Sequence, residues 1–230
     1  MSKPRYYSNI YWHFTGGPVS IGRDIIWHHY RCLKDVKNNT TLKQPQQAME
    51  NLQSIISSKV LKATCTEKIS ESIETEMFCS VCDIPLNDLV YHRQYYGDYA
   101  IGFNADIIHK HFHPVLYIDP YYASLNRPEI RSRLSETDGD RNKPMLWELI
   151  GIKKENPLLN FLKITSFASN YEQSFYGERE WRCLQDFAFN PSEVEAIIVP
   201  KQEVQAINYH LRASGYQNIS VLSWDLIENV

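Results

Sequence analysis

The sequence lacks any apolar run approaching the roughly 20 residues that a membrane-spanning helix needs. A helical membrane protein is therefore not expected. Its first residues, MSKPRYYSNIYW, contain no apolar core of the signal-peptide kind, so a cytoplasmic location is expected. Charge of one sign is also missing: 24 Lys and Arg stand against 27 Asp and Glu, and no long basic run exists. Nucleic acid held mainly through its phosphates is accordingly not the expected partner. Cysteine is sparse and odd in number, and Cys79, Cys82 and Cys183 sit among apolar residues. These read as reduced thiols used as small hydrophobes, not as a disulfide framework. The phosphate-loop patterns G-x-G-x-x-G and G-x-x-x-x-G-K-S/T are absent, as are the hydrolase patterns G-x-S-x-G and H-E-x-x-H. One C-x-x-C (Cys79 to Cys82) has no second copy, and the alternating His109, His111 and His113 stand elsewhere, so no metal is expected.

Aromatic residues, by contrast, are plentiful. Fifteen tyrosines supply apolar area with a hydroxyl attached, which suits both packing and the stacking of a planar ligand. A chain of 230 residues can bury roughly 70 % of its unfolded surface and needs no staple to fold. A single domain over residues 1–230 is expected.

The best-punctuated stretch runs from Phe78 to Phe103. Phe78, Val81 and Cys82 predict a short buried strand. Asp83 and Pro85 can open a helix, and Leu86, Leu89 and Val90 share one helical face. Gly97 can stop that helix in a left-handed conformation, and Tyr99, Ile101 and Phe103 alternate as in a strand. This unit is expected at the centre of a sheet, with His92, Arg93 and its tyrosines as candidates to wall a site. Before it, Tyr11–Thr15 predicts a strand ending at Gly16-Gly17-Pro18, where another backbone or a ligand can approach closely. Residues 19–45 read as an insertion, Gln46–Leu61 as an amphipathic helix, and Cys65–Thr75 as a connection. Beyond the unit, Val115–Ile118, Trp181–Leu184, Ala196–Val199 and Ile219–Trp224 predict strands. Met145–Ile150, Pro157–Ile164 and Lys201–Ser214 predict helical pieces, and a surface helix (Glu129–Leu134) with a mobile loop is expected near residues 120–143. Elements in this mixed order favour α+β over a doubly wound parallel sheet.

Two constellations point to chemistry. His13 and Thr15 lie two apart on a strand, hence on one face, and can offer hydrogen bonds to a diol or amide; the alternative is a hydrogen-bonded core histidine. Glu178 and Glu180 likewise share a face with Arg182. Paired carboxylates there can bind a ribose hydroxyl, stabilise an oxocarbenium ion or activate a nucleophile; the alternative is a solvated strand with paired charges.

The stretch Cys82-Asp83-Ile84-Pro85-Leu86, then His92, then Tyr96-Gly97-Asp98-Tyr99-Ala100-Ile101-Gly102-Phe103 resembles the AbiGi-type abortive phage-infection family. Glu178-Arg179-Glu180-Trp181-Arg182 is similar to a stretch near the end of the same family. This resemblance implies the antitoxin side of a bacterial phage-defence system, with a cognate toxin as partner. An early strand with His and Thr, aromatic middle strands and a late E-x-E are also similar to the ADP-ribosyltransferase fold. That likeness implies a mixed, split β-sheet flanked by helices, and NAD as substrate. Carried onto this chain, His13 and Thr15 bind the ribose or amide, and Tyr95, Tyr96 or Tyr99 stacks on nicotinamide. Glu180 then serves as the catalytic carboxylate and Glu178 orients the acceptor. The alternative implied by the antitoxin resemblance is a non-catalytic protein that binds and neutralises a toxin.

Overall fold

The Phe78–Phe103 unit does lie at the middle of a sheet, and the first strand threads between its two strands. The computed structural model describes residues 8–20, 32–70, 73–119, 155–167 and 170–229. Seven strands form its main sheet: β1 (Ile10–Phe14), β2 (Cys79–Cys82), β3 (Ala100–Asn104), β4 (His113–Pro114), β5 (Glu180–Cys183), β6 (Val194–Val199) and β7 (Ser220–Ser223). Their order is β7-β6-β3-β1-β2-β5-β4. The β6–β7 pair is parallel and the other neighbours are antiparallel, which makes the sheet mixed. The helices flanking it are α1 (Leu33–Asn39), α2 (Pro45–Ser58), α3 (Leu89–Tyr96), α4 (Ala105–His111), α5 (Val204–Ala213) and α6 (Trp224–Glu228).

The period of two along each strand sorts the core into two layers. Tyr11, Val81, Ile101, Phe103 and Ile197 face α2, α4 and α5, where they meet Leu52, Ile56, Ile108, Ile207 and Leu211. Trp12, Phe14, Cys82, Ala100 and Ile198 face α3 and α6, with Leu89, Trp224 and Ile227. Helices on both faces explain why Ala196 to Val199 are buried without a break. Gly102 belongs to the second layer, where a Cβ would come within 2.5 Å of Ile10 and 2.7 Å of the Trp12 ring. The alternation of small and large residues in β3 thus makes room for the indole.

Helix α2 buries Ala48, Met49, Leu52 and Ile56, as its spacing predicts, with Pro45 in the first turn. It stops at Ser58 and not at Leu61, because Lys59 turns left-handed (φ 55°) and Val60–Leu61 pairs with Phe187–Ala188. Gly97 ends α3 with φ 85° but ψ −174°, so the expected left-handed helical geometry is not adopted. Its backbone instead packs on that of Gly16: a Cβ on Gly16 would stand 3.0 Å from the Tyr96 carbonyl and 3.1 Å from Gly97 Cα.

Several other expectations need correction. Asp83 does not cap α3, which starts at Leu89 after a 3-10 turn; it accepts from the Ser8 amide at 2.7 Å and pairs with Arg179 at 2.9 Å. Pro157–Ile164 is a 3-10 turn (Pro157–Phe161) followed by a strand, Leu162–Ile164, parallel to Leu116–Ile118. Strand geometry wins there because Leu162 is buried with Leu159 against Ile69 and Ile73. The Cys65–Thr75 connection holds the antiparallel pair Lys68–Ser70 and Ile73–Glu74. Trp224 opens α6 and does not end a strand. Helix α4 was not expected; Asn104 caps it by accepting from the Asp106 amide, and its His-rich last turn suits a helix C-terminus. Of the insertion expected at 19–45, Pro18–Ser20 pairs antiparallel with Thr40–Leu42, and residues 21–31 lie outside the described residues. The mobile loop near 120–143, its helix Glu129–Leu134 and the piece Met145–Ile150 also lie outside them. Among the described residues, no helix is long and apolar enough to cross a membrane.

Candidate functional site

The ladder between β1 and β2 contains one paired position, Trp12 with Cys82. Beyond it the backbones part, and His13 Nδ1 meets the Ser80 carbonyl at 2.8 Å instead. A cavity of about 650 Å³ lies against this split, bounded by β1, β2, α2 and residues 60–67. Its rim carries the exposed Ser54, Ser58, Lys62 and Thr64, and its inner end carries the buried Glu178 and Glu180.

That inner end is a buried ion-pair network. Glu180 and Arg182 share a face of β5, as their spacing predicts. Glu178 closes a 3-10 turn, and the left-handed Arg179 (φ 45°) redirects the chain so that both glutamates reach the same lysine. Lys163, from the Leu162–Ile164 strand, places Nζ 2.7 Å from Glu178 Oε2 and 3.0 Å from Glu180 Oε2. Arg182 is fully buried. Its Nε donates to Glu180 Oε1 at 3.0 Å, one terminal nitrogen to Glu180 Oε2 at 3.1 Å, and the other to the Asn160 carbonyl at 3.0 Å. It also pairs with Glu67 and lies 4.3 Å over the Phe78 ring. The Tyr96 hydroxyl donates to Glu178, and Tyr117 Oη accepts from the Glu180 amide at 2.8 Å.

Among the described residues, the three carboxylates Glu67, Glu178 and Glu180 face the two cations Lys163 and Arg182, which leaves one negative charge in excess. Burial pushes the Glu178 carboxyl up, only partly opposed by Lys163. Burial pushes on Glu180 too, but Arg182 and Lys163 outweigh it and hold that carboxyl below its ordinary range. Lys163 is disfavoured as a cation by burial, yet Glu178, Glu180 and Glu67 together raise it well above its ordinary value. Two neighbouring carboxyls pushed apart in this way form an arrangement suited to acid–base work, and equally to a structural lock.

Of the residues singled out by sequence, His13, Thr15, Tyr96, Glu178 and Glu180 line one cavity. Thr15 Oγ1 is already committed, donating to the Ala48 carbonyl at 2.7 Å. Tyr95 and Tyr99 are not among the lining residues. Tyr95 packs with Leu33, Val36 and Phe175 and donates to Glu172 at 2.8 Å, while Tyr99 belongs to the core layer under α2. His92 lines the cavity as well, stacked on Tyr96 at 4.3 Å and hydrogen-bonded through Nδ1 to Tyr171 Oη at 3.0 Å. Sequence reasoning missed Lys163, Glu67 and Tyr171. The signal for Lys163 was a lysine inside the apolar run Phe161-Leu162-Lys163-Ile164. Among the described residues no group of His, Cys, Asp and Glu could hold a metal.

Burial keeps His13 and His92 neutral, pushing them down to about 4 and about 3, with Lys43 and Lys163 adding to the shift. Both values lie below the ordinary 6.5, so the unfolded chain takes up protons first. Their contribution to stability is complete above that value and is lost as the pH falls toward the folded ones. The urea midpoint is therefore expected to drop between pH 7 and pH 5, and to drop less in His92→Phe. An equal drop in wild type and variant excludes His92 as a source.

A family model described as "Putative abortive phage resistance protein AbiGi, antitoxin" matches residues 58–216. The match spans the central unit and Glu178–Arg182, and starts after His13 and Thr15. No curated protein and no solved structure matches the chain.

Proposed function

Because this chain belongs to the AbiGi family of abortive phage-resistance antitoxins, we propose that it is the antitoxin of a phage-defence pair and neutralises its toxin by binding it. The observation that supports binding over chemistry is the state of Glu180. Both its oxygens are held by Arg182 and one also by Lys163, in a site where a carboxylate so neutralised has little charge left for a developing cation. Glu178, Glu180 and Arg182 are then structural charge pairs that brace the sheet.

A second reading is NAD-dependent ADP-ribosyl transfer in an ADP-ribosyltransferase-like split sheet. It is favoured by the convergence of His13, Thr15, Tyr96, Glu178 and Glu180 on one cavity of a size suited to a small ligand. Bound there, NAD supplies a ribosyl group whose bond to nicotinamide breaks with positive charge at the anomeric carbon. Glu180 is the group to stabilise that charge, and Lys163 at 3.0 Å is the feature that opposes it.

Purification of the chain expressed with its neighbouring genes separates the two. Binding predicts a stoichiometric protein partner and no transfer of adenine label from NAD to macromolecules of a host lysate. Transfer predicts label with wild type and none with Glu180→Gln, provided that variant still melts cooperatively. Absence of any partner sinks the binding reading.

A further inference from the structure

We infer that the cavity at the β1–β2 split binds a 5′-nucleotide, with its phosphate at the rim on Lys43 and Lys62 and its sugar or base toward the buried end. The inference shares a site with the transferase reading but not its chemistry, since it holds whether or not the bound nucleotide reacts.

The support is a gradient of hydrogen-bonding character along the cavity. The exposed rim carries the Lys62 ammonium and the Ser54 hydroxyl, and the half-buried Lys43 lines the same cavity. Lys43 Nζ lies 3.3 Å from the Thr15 carbonyl, which anchors its stem at the cavity wall, and its charge is felt by His13. A lysine held that way retains donors for an anion. The inner end presents acceptors grouped around the buried Lys163. The Ser80 carbonyl can only accept, so His13 Nδ1 carries the proton, and the neutral ring leaves Nε2 as an acceptor. Glu178 adds carboxylate oxygens that are each met by one donor, Tyr96 or Lys163, and so keep a lone pair for a ligand. A ligand matching this gradient carries an anion at one end and O–H and N–H donors at the other, with a bulk suited to about 650 Å³. Nucleotides combine a phosphate, a ribose diol and a base with N–H groups in that order. A phosphate on two lysines outside the fully buried network also avoids the desolvation cost that a deep anion would incur.

The probes are the four ribonucleoside 5′-monophosphates, each paired with its nucleoside, titrated calorimetrically into the full chain. At least one nucleotide is expected to bind about tenfold or more tightly than its nucleoside, and to weaken as salt rises. In Lys43→Gln/Lys62→Gln that difference is expected to shrink to within about threefold, with the melting temperature unchanged. The inference is overturned if no nucleotide binds at millimolar concentration, if nucleotide and nucleoside bind equally, or if the double variant keeps the full difference. Binding without label transfer from NAD leaves the inference standing and removes the transferase reading. Loss of nucleotide binding leaves the antitoxin reading untouched.

Discussion

Lys163→Met is expected to lower stability by about 3–5 kcal/mol at neutral pH, because it leaves Glu178 and Glu180 buried with, among the described residues, Arg182 alone paired to the carboxylates. For a chain of this size that corresponds to roughly 10 °C in melting temperature. The pH dependence identifies the cause. Burial already raises the Glu178 carboxyl in the folded protein, and removing the lysine raises it further. A carboxyl with a raised folded pKa binds more protons folded than unfolded, so stability falls as the pH rises from its ordinary value toward the folded one. The deficit of Lys163→Met relative to wild type is therefore smaller at pH 5 than at pH 8. Thermal melts of both proteins at the two pH values check this, and an equal deficit at each removes unpaired carboxylates as the explanation.

Arg182→Met is expected to cost at least as much. The side chain is fully buried, spans Glu180, Glu67 and the Asn160 carbonyl, and covers one face of Phe78. Methionine keeps the stem and some of the packing but leaves two carboxylates without their shared cation. Breaking one side of a buried pair is far costlier than removing both sides. Arg182→Met combined with Glu67→Gln and Glu180→Gln should accordingly regain more than half of the loss in urea unfolding. A single variant that melts within about 2 °C of wild type would show that the network carries no net stabilisation.

The parts of the fold that were legible in sequence were those set by local patterns. The small–large alternation of Ala100 to Phe103, the apolar stripe of α2 and the glycine after Tyr96 each encode their element within a few residues. Helix α4 escaped because its histidines masked an apolar stripe of only Ala105 and Ile108. The site was legible in half. Glu180 and Arg182 declare their shared face through spacing, whereas Glu178 lies in a 3-10 turn before the strand and not on the strand face that its spacing predicts, and Lys163 reaches them through a parallel pairing with Leu116–Ile118 that no local pattern specifies. The split itself depends on where β1 and β2 stop pairing, a matter of long-range register.

The position of β1 also bears on how the chain assembles. The order β7-β6-β3-β1-β2-β5-β4 is two three-stranded halves with the amino-terminal strand as the seam between them. On one side of the seam Ile10 to Phe14 all pair with Asn104 to Ala100, and on the other only Trp12 is paired. On its fully paired side, β1 meets partners that lie 86 to 94 residues further along the chain. The ladders inside the halves are no more local, β3 with β6 and β2 with β5 joining residues 91 to 104 apart, so high contact order is expected to make formation of the whole sheet slow. The seam's poorly paired side, where β1 leaves β2 beyond Trp12, forms a wall of the cavity.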